Sequence, residues 1–561
     1  MAKTVKKAKK KLQPDTSRKA GEAAIATATM TNLRPFRWGL TIFVVLATSV
    51  PYLLNWLATP AGFHYTWIVP PYPEDSYAYM AWTQQAAHGN LLFQIKYTAL
   101  PQHAFLFHPF FLICGWISVL SGCEAGFVLW LAKSAGVVLF FAMFFKYSDF
   151  LGLNRIESIV ASLLTGISAG LGGLFVLFGV GSQSPVFPSD LWMPEMSTFW
   201  SLLWNPLFPW SLAMMVLTIY WLDRGTRDGR KSDFWFSGLS TGVLALIHPY
   251  SQLLLYAFAV TIILARRRPK IVGCLCRYFS AAFPFVLYLV LVTEFDPLVS
   301  KHSAHGQMPS PSLVNYSLGF GIPLLLCVAG LAVGRGRLIK CHWQVTLWFF
   351  LSISFAYLPV WFQRKFIFGA HIPLCILAGI SVDLMRDRLS RMLARWRILT
   401  VAAGILMSLT VFTPIYLLIS QSREVKENAD HGAYFISNEM MEGLKFLKEK
   451  TKPDEVVFAS TETSRLIPAY SGNTVLWGHW AMSVDFREKE TWFNNLFHGQ
   501  PNWDDGGRAG EFWGTGIQYI FADGDLEQWV KKNPPEWRVI LNEADMVFTN
   551  RLVTIYKHRS G

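Results

Sequence analysis

Residues 125–146 read AGFVLWLAKSAGVVLFFAMFFK, an apolar run whose interior carries one charged side chain, Lys133. The run has the length of about 20 residues that an α-helix needs to cross a bilayer. The sequence predicts an all-α polytopic membrane protein with about eleven transmembrane helices plus juxtamembrane helices. The other predicted spans are residues 38–57, 157–180, 207–222, 234–248, 250–265, 278–293, 316–334, 343–361, 366–384 and 398–419.

The composition agrees with this class. Of 561 residues, 52% are hydrophobic and 16% are charged, whereas soluble proteins carry roughly 25% charged residues. The net charge of +13 does not indicate a nucleic-acid partner, because residues 423–561 contain 16 Lys and Arg against 21 Asp and Glu. The positive charge therefore lies in the membrane part, where basic residues mark cytosolic loops.

The basic loops orient the chain. They fall on the same side as the Lys-rich N-terminal tail only if the apolar segment Phe105–Leu120 does not span, so we predict a re-entrant or juxtamembrane helix there. The N-terminus is then cytosolic, and the long loops 58–124 and 181–206 lie outside the cytosol. The predicted parts are a disordered basic cytosolic tail (1–36), a transmembrane domain (37–420) and an extracytoplasmic α/β domain (421–561).

The C-terminal region changes character at about residue 421. A helix pattern at Asn438–Lys450 is followed by strand-like runs at Glu455–Ser460, Tyr519–Ala522 and Leu552–Tyr556. Alternating helix and strand signals indicate a small α/β domain. The region contains none of the seven cysteines, so no disulfide framework is expected there.

The first outer loop contains the stretch PPYPEDSYAYMAW at residues 70–82. Its prolines favour an extended conformation, and Glu74 and Asp75 are residues that start helices, so we predict a short helix from about 75 to 88. Tyr79 and Trp82 would share one face of it. The two carboxylates are either simple N-terminal caps or catalytic groups.

A second acidic pair, Asp190 and Glu195, lies in the other long outer loop. Carboxylates near apolar surroundings at the bilayer surface have raised pKa values that suit a general base. Alternatively, they are ordinary solvated acids. With Asp75 they would also suit a divalent cation such as Mg or Mn, so a metal requirement stays open.

Arg364 and Lys365 form a cationic pair in a short outer loop, where positive charge is disfavoured by the topology rule. Phosphate is a natural partner for such a pair, and lipid headgroups are the alternative. His371 is near enough in sequence to join them or to be a packing residue. His248 precedes Pro249 at an outer turn and is either a cap-like residue or a substrate contact.

These residues together resemble the GT-C superfamily of integral-membrane glycosyltransferases, the group of protein O-mannosyltransferases and aminoarabinose transferases. The similarity rests on Glu74-Asp75 followed by Ser-Tyr-Ala-Tyr, on Pro194-Glu-Met-Ser-Thr-Phe-Trp and on Phe362-Gln-Arg-Lys-Phe. The acidic order is Glu-Asp where the family usually has Asp-Glu, and no WWD-like motif is present. The resemblance implies a polyprenyl-phosphate-linked sugar donor, a glycan, lipid or protein acceptor, and a bacterial inner membrane.

The resulting hypothesis is inverting sugar transfer on the extracytoplasmic face with Asp75 as general base. Arg364 and Lys365 would hold the carrier phosphate, and Glu74, Asp190 and Glu195 would position the acceptor or a cation. Two alternatives remain, a lipid or solute transporter and a membrane-anchored scaffold or sensor. Transfer requires that Asp75 and Arg364 face one outer cavity.

Overall fold

Helices make up most of the first 427 residues. The computed structural model describes residues 33–266, 270–295, 298, 307–336, 338–339, 342–392, 404–427, 432–498, 510, 512–524, 526 and 534–559, so most of the expected basic tail lies outside the described residues. The helices are α1 (Arg34–Leu57), α2 (Pro73–Ala87), α3 (Pro109–Ser121), α4 (Ala125–Leu151), α5 (Arg155–Ile167), α6 (Gly172–Leu177), α7 (Thr198–Trp204), α8 (Leu207–Asp228), α9 (Lys231–Ile247), α10 (Gln252–Ala265), α11 (Ile271–Phe295), α12 (Leu313–Gly336), α13 (Trp343–Phe355), α14 (His371–Met392) and α15 (Phe412–Glu427).

Six of the described helical segments are long and apolar enough to cross a membrane. They correspond to six of the eleven predicted spans, while the other five coincide with shorter or more polar helices. The number eleven therefore stays a prediction, whereas a mostly helical, multi-pass architecture is confirmed. The six segments are Arg34–Leu57, Ala125–Leu151, Ile271–Glu294, Leu313–Gly334, Gln363–Arg386 and Gly404–Glu427.

The predicted continuous helix at residues 157–180 is wrong. Helix α5 ends at Ile167, Ser168 is extended, and α6 begins only at Gly172. The break contains glycines that pack against other backbone segments: a Cβ on Gly170 would lie 2.3 Å from the carbonyl oxygen of Gly319. Glycine is favoured where two backbones approach so closely, and it weakens a helix.

Ion pairs of basic residues connect the helix ends at one end of the helical bundle. Arg37 at the start of α1 donates to Asp149 at the end of α4 over 2.9 Å. Asp223 of α8 accepts from Arg227 and from Arg266, the residue that follows α10. The charge distribution predicts that these basic loops share one side of the membrane, and the contacts bring these helix ends together.

The C-terminal part contains a five-stranded sheet with strand order β4-β3-β5-β7-β6. The first three strands in that order are parallel, and β7 pairs antiparallel with β5 and β6. The predicted helix at Asn438–Lys450 is confirmed, as are the three predicted strand regions. The strands are β1 (Phe63–Tyr65), β2 (Phe435–Ser437), β3 (Val456–Phe458), β4 (Thr474–Val475), β5 (Ile517–Ala522), β6 (Ala544–Thr549) and β7 (Thr554–His558); the helices are α16 (Asn438–Lys450), α17 (Thr461–Tyr470), α18 (Phe486–His498) and α19 (Pro534–Leu541).

The first outer loop and the C-terminal sheet share one hydrophobic core. Strand β1 of the loop pairs antiparallel with β2 at the start of the C-terminal part. Buried Lys96 of the loop donates from Nζ to the carbonyl of Pro453 over 2.8 Å, and its own carbonyl accepts from Val475. This docking brings the edge of the C-terminal sheet to the helical bundle. The core includes Tyr65, Tyr77, Phe93 and Tyr97 from the loop and Leu466, Val475, Phe521 and Ile555 from the C-terminal part.

Candidate active site

A cavity of about 330 Å³ lies between the outer loops, the bundle and the C-terminal part. It is at the bundle end where α1 and α9 finish and α14 begins, opposite the end that carries the basic cluster. Most of its wall is aromatic or aliphatic. Its polar lining residues include Asp75, Tyr79, Asn205, His248, Lys365 and His479.

Helix α2 separates the two adjacent carboxylates. Pro73 occupies the first turn of α2, which places Glu74 and Asp75 where acidic residues are favoured by the helix dipole. Glu74 Oε1 is 3.4 Å from Arg465 Nη1 of α17. Asp75 instead lines the cavity, with Oδ1 3.4 Å from His479 Nε2. Consecutive helix positions are about 100° apart, so the two side chains serve different neighbours.

The cationic pair lies in a short 3₁₀ helix, Gln363–Ile367, just before α14. Lys365 lines the cavity and forms an ion pair with buried Glu195. Burial acts to raise the pKa of Glu195, but Lys365 and Arg364 outweigh it and hold the pKa below its ordinary value. The expectation of a raised pKa is therefore wrong for Glu195, and so is the alternative of a solvated acid, because the side chain is buried and paired. The Lys365–Glu195 pair carries little net charge.

Arg364 is positioned differently from its neighbour. Its guanidinium lies 5.5 Å from the ring centre of Trp192, and its buried Nε has no hydrogen-bond partner among the described residues. Tyr72 connects Arg364 to the acidic residues: burial raises the pKa of Tyr72, Arg364 opposes this rise, and Glu195 and Asp75 add to it. Arg364 therefore lies among the same charged groups as Asp75, but it does not line the cavity that Asp75 lines, contrary to the expectation that both residues face one cavity.

The predicted aromatic and histidine contacts also gather at the cavity. Tyr79 and Trp82 lie on one face of α2 with ring centres 6.1 Å apart, and both line the cavity. The Tyr79 hydroxyl accepts from Asn205, and its pKa is raised by burial and by the nearby Asp75. His248 follows α9, stacks on Phe368 at 4.4 Å and contacts Ser251 through Nδ1.

Five of the predicted site residues do not line this cavity: Glu74, Asp190, Glu195, Arg364 and His371. Asp190 is fully buried and accepts from the backbone N–H of Gly172; burial raises its pKa to about 7 against hydrogen bonds that lower it. His371 is buried at the start of α14 and contacts Thr198 and Ser168 through its two ring nitrogens. Asp190 and His371 are surrounded by protein rather than open to the cavity.

The three carboxylates proposed as a cation site do not converge. Asp190 is held at Gly172, Glu195 is paired with Lys365, and Asp75 faces the cavity. Among the described residues no group of three or more His, Cys, Asp or Glu side chains is placed to hold a metal ion. A metal site built from these three residues is therefore not supported by the geometry.

Sequence reasoning missed His479 and Arg465, which the C-terminal part brings to the acidic residues of α2. The one available signal was the stretch Trp477-Gly-His-Trp480 directly after a strand. Lys133, the charged residue inside a predicted span, serves a structural purpose. Its Nζ donates to the carbonyl of Thr48 over 2.6 Å and lies 4.3 Å from the ring centre of Tyr52.

The fold of this chain is similar to that of solved proteins. No family model and no curated protein sequence matches the chain. The structure is similar to the arabinofuranosyltransferase AftD from Mycobacteria, with a TM-score of 0.50 and 15% identity over 94% of this chain and 40% of AftD. This chain shares the fold of that part of AftD. The sequence-based resemblance to the GT-C superfamily is thereby confirmed at the level of fold.

Two further solved structures resemble the chain less closely. One is the oligosaccharyltransferase AglB from Archaeoglobus fulgidus in complex with an inhibitory peptide and a dolichol-phosphate, with a TM-score of 0.48 and 12% identity over 88% of this chain and 70% of AglB. The other is ArnT from Cupriavidus metallidurans bound to undecaprenyl phosphate, with a TM-score of 0.49 and 13% identity over 92% of this chain and 97% of ArnT.

Proposed function

We propose that the protein is a membrane glycosyltransferase that moves a sugar from a polyprenyl-phosphate carrier to an acceptor hydroxyl, on the extracytoplasmic face and with inversion. The observation that supports this most is that Asp75 and Lys365, singled out for opposite ends of the reaction, line one cavity. The GT-C fold, shared with a solved arabinofuranosyltransferase, agrees with it.

The donor phosphate would bind at Arg364 and Lys365. The Nε of Arg364 has no hydrogen-bond partner among the described residues, and a guanidinium binds phosphate oxygens well. Lys365 would exchange part of its contact with Glu195 for the phosphate. Both cations would stabilise the negative charge that develops on the carrier phosphate as the bond to C1 of the sugar breaks.

The acceptor would bind at Asp75. A carboxylate there can remove the proton of an acceptor hydroxyl as that oxygen attacks C1 from the side opposite the carrier phosphate. Tyr79 and Trp82 offer aromatic faces on which sugar rings stack. Glu74 is the weaker candidate for the base, because its carboxylate contacts Arg465 and does not line the cavity.

The cavity location favours transfer over transport. Transporters usually bind their substrate near the middle of the membrane, between repeated halves. Here Asp75, His248 and Lys365 lie beyond helix ends, at loops and at the first turn of α2. The other alternative, a membrane-anchored scaffold or sensor, does not account for a cavity that combines a carboxylate with a cation.

The test replaces Asp75 by Asn in the full-length, detergent-solubilised protein. The substrates are a panel of synthetic undecaprenyl-phosphate-linked pentoses and hexoses with a cell-envelope glycan fraction as acceptor, and the measurement is the release of undecaprenyl phosphate. We expect the rate to fall by about 10²- to 10⁴-fold, the usual contribution of a general base. Undecaprenyl phosphate itself should bind as tightly as before.

Three further variants complete the experiment. Arg364→Gln should weaken undecaprenyl phosphate binding about tenfold or more, since it removes a charged phosphate contact. Asp545→Asn, a carboxylate-to-amide change on exposed β6, serves as the control and should change neither quantity. Glu74→Gln should have the smaller effect of the two adjacent acids. Full activity of Asp75→Asn would refute the assignment.

A further inference from the structure

The loop that follows β4 in the C-terminal sheet reaches the cavity. Strands β3, β4 and β5 are parallel, and loops at the carboxyl ends of parallel strands are where ligand-binding residues commonly lie. The loop Leu476–Met482 leaves β4 at this edge, and its residues His479, Trp480, Ala481 and Met482 line the cavity beside Asp75. The C-terminal part therefore forms one wall of the site.

Hydrogen bonds and close packing fix the conformation of this loop. The backbone N–H groups of Gly478 and His479 both donate to Ser483 Oγ over 3.1 Å. Gly478 has φ +155, and a Cβ there would lie 2.9 Å from the backbone of Ser464 in α17. Glycine is thus required for the loop to sit against α17, and the histidine that follows is held in one place.

Two other hydrogen bonds in the loop determine which ring nitrogen of His479 carries the proton. Nδ1 accepts from the backbone N–H groups of Ala481 at 3.1 Å and Met482 at 3.2 Å. A nitrogen that accepts has no proton, so the neutral ring carries its proton on Nε2. Nε2 is buried, has no hydrogen-bond partner among the described residues, and lies 3.4 Å from Asp75 Oδ1.

We propose that His479 is a positioning residue for Asp75: its Nε2–H donates to Oδ1 and leaves Oδ2 to take the proton of the acceptor hydroxyl. The contact is long without a substrate, and such contacts commonly shorten when the substrate binds. This inference rests on the proposed function. It adds that the C-terminal part completes the active site and does not merely adjoin it.

Two conservative substitutions distinguish a role of His479 in positioning Asp75 from a role in holding the conformation of the loop. In His479→Asn the amide oxygen can replace Nδ1 as acceptor for Ala481 and Met482, but no group reaches Asp75. In His479→Gln the longer side chain returns an N–H donor to the position of Nε2 and loses the Nδ1 acceptor. A positioning role predicts that Asn is the damaging change, whereas a purely structural role predicts that Gln is.

The measurements use the transfer assay described above on the full-length protein. We expect His479→Asn to lower kcat about 10- to 100-fold with little change in KM, the size of effect that a small misplacement of a reacting group produces. His479→Gln should stay within a few fold of the wild type. His88→Asn, at an exposed position just after α2, is the matched control and should leave the rate unchanged.

The outcomes distinguish the two proposals. Wild-type kcat in His479→Asn, alongside an inactive Asp75→Asn, would overturn the positioning role and leave the glycosyltransferase intact. A loss of activity in His479→Asn that appears in KM rather than in kcat, or that comes with a lowered Tm, would likewise overturn it. Full activity in Asp75→Asn would refute the proposed function itself.

Discussion

At the residue scale, Asp75 and Glu74 are adjacent in the sequence but have different surroundings in the structure. The sequence-based hypothesis names Asp75 as the base, but no residue pattern excludes Glu74. Because consecutive residues of α2 point in different directions, Glu74 contacts Arg465 and Asp75 lines the cavity. Arg465 lies next to Glu74 and His479 lies next to Asp75, and both come from the C-terminal part, so no local pattern around residue 75 distinguishes the two acids.

Asp190 is the residue whose protonation should affect stability. Its pKa of about 7 in the folded protein lies above the ordinary value of 3.8, because it is buried. Between about pH 4 and pH 7 the folded state keeps a proton that the unfolded state has released. The free energy of unfolding therefore falls as the pH rises through this window, by at most about 1.4 kcal/mol per pH unit.

The prediction is tested by thermal unfolding of the detergent-solubilised protein between pH 4.5 and pH 7.5. Tm of the wild type should decrease toward pH 7.5, and Asp190→Asn should flatten this dependence because the amide resembles the protonated acid. Asp545→Asn on the exposed β6 should keep the wild-type dependence. An unchanged slope in Asp190→Asn would show that Asp190 is ionised throughout.

At the element scale, α3 is an apolar helix that is too short to span a membrane. It has 13 residues, a length of about 20 Å against a hydrocarbon core of about 30 Å. One face packs on α2, and the other exposes Ile113, Trp116, Ile117 and Leu120. That spacing is one face of a helix, as expected for a helix lying at the membrane surface.

Gly115 sets the distance between α3 and the helix that carries Asp75. A Cβ at this position would lie 2.4 Å from Ala86 Cβ and 2.7 Å from the carbonyl oxygen of Thr83, both in α2. We therefore expect Gly115→Val to push the helices apart and lower the free energy of unfolding by about 1–3 kcal/mol, as overpacking does.

Thermal unfolding in detergent measures this loss, and the rate of sugar transfer should fall with it because α2 moves. Gly39→Ala in α1 is the control, since a Cβ there meets nothing within 4 Å. An unchanged Tm for Gly115→Val would mean that α3 moves freely relative to α2.

At the scale of the whole molecule, the shared core predicts that the first outer loop and the C-terminal sheet unfold together. Tyr97 of the loop is buried, and its hydroxyl donates to the carbonyl of Arg465 over 3.2 Å. Removing such an aromatic side chain typically costs about 3–5 kcal/mol. Tyr97→Ala should therefore reduce the stability of strands far away in the sequence.

Hydrogen–deuterium exchange tests this coupling at Ile517–Ala522, the residues of β5. Their amides should exchange faster in Tyr97→Ala than in the wild type, because protection of an amide from exchange reports the local stability. Leu91→Ala, a loop position that is largely exposed, should leave the exchange of β5 unchanged. Equal protection of β5 in Tyr97→Ala and the wild type would show that the sheet is stable independently of the loop.

Much of the architecture was predictable because hydrophobic length and periodicity are local properties. Residues 125–146 predicted α4, and Asn438–Lys450 were predicted as a helix with the bounds observed. The break after Ile167 was not predicted, since it depends on a backbone contact with Gly319 from a distant helix.

The sequence by itself determined the membrane-protein class, predicted the two long loops 58–124 and 181–206, and singled out Arg364 and Lys365 as a cationic pair. Apolar length and the distribution of charge are sufficient for these conclusions. Only the tertiary structure decided that Asp75 rather than Glu74 faces the cavity, that Asp190 and His371 lie elsewhere, and that His479 lies next to Asp75. These are contacts between segments up to about 400 residues apart, and such contacts follow from packing of the whole chain rather than from any local pattern.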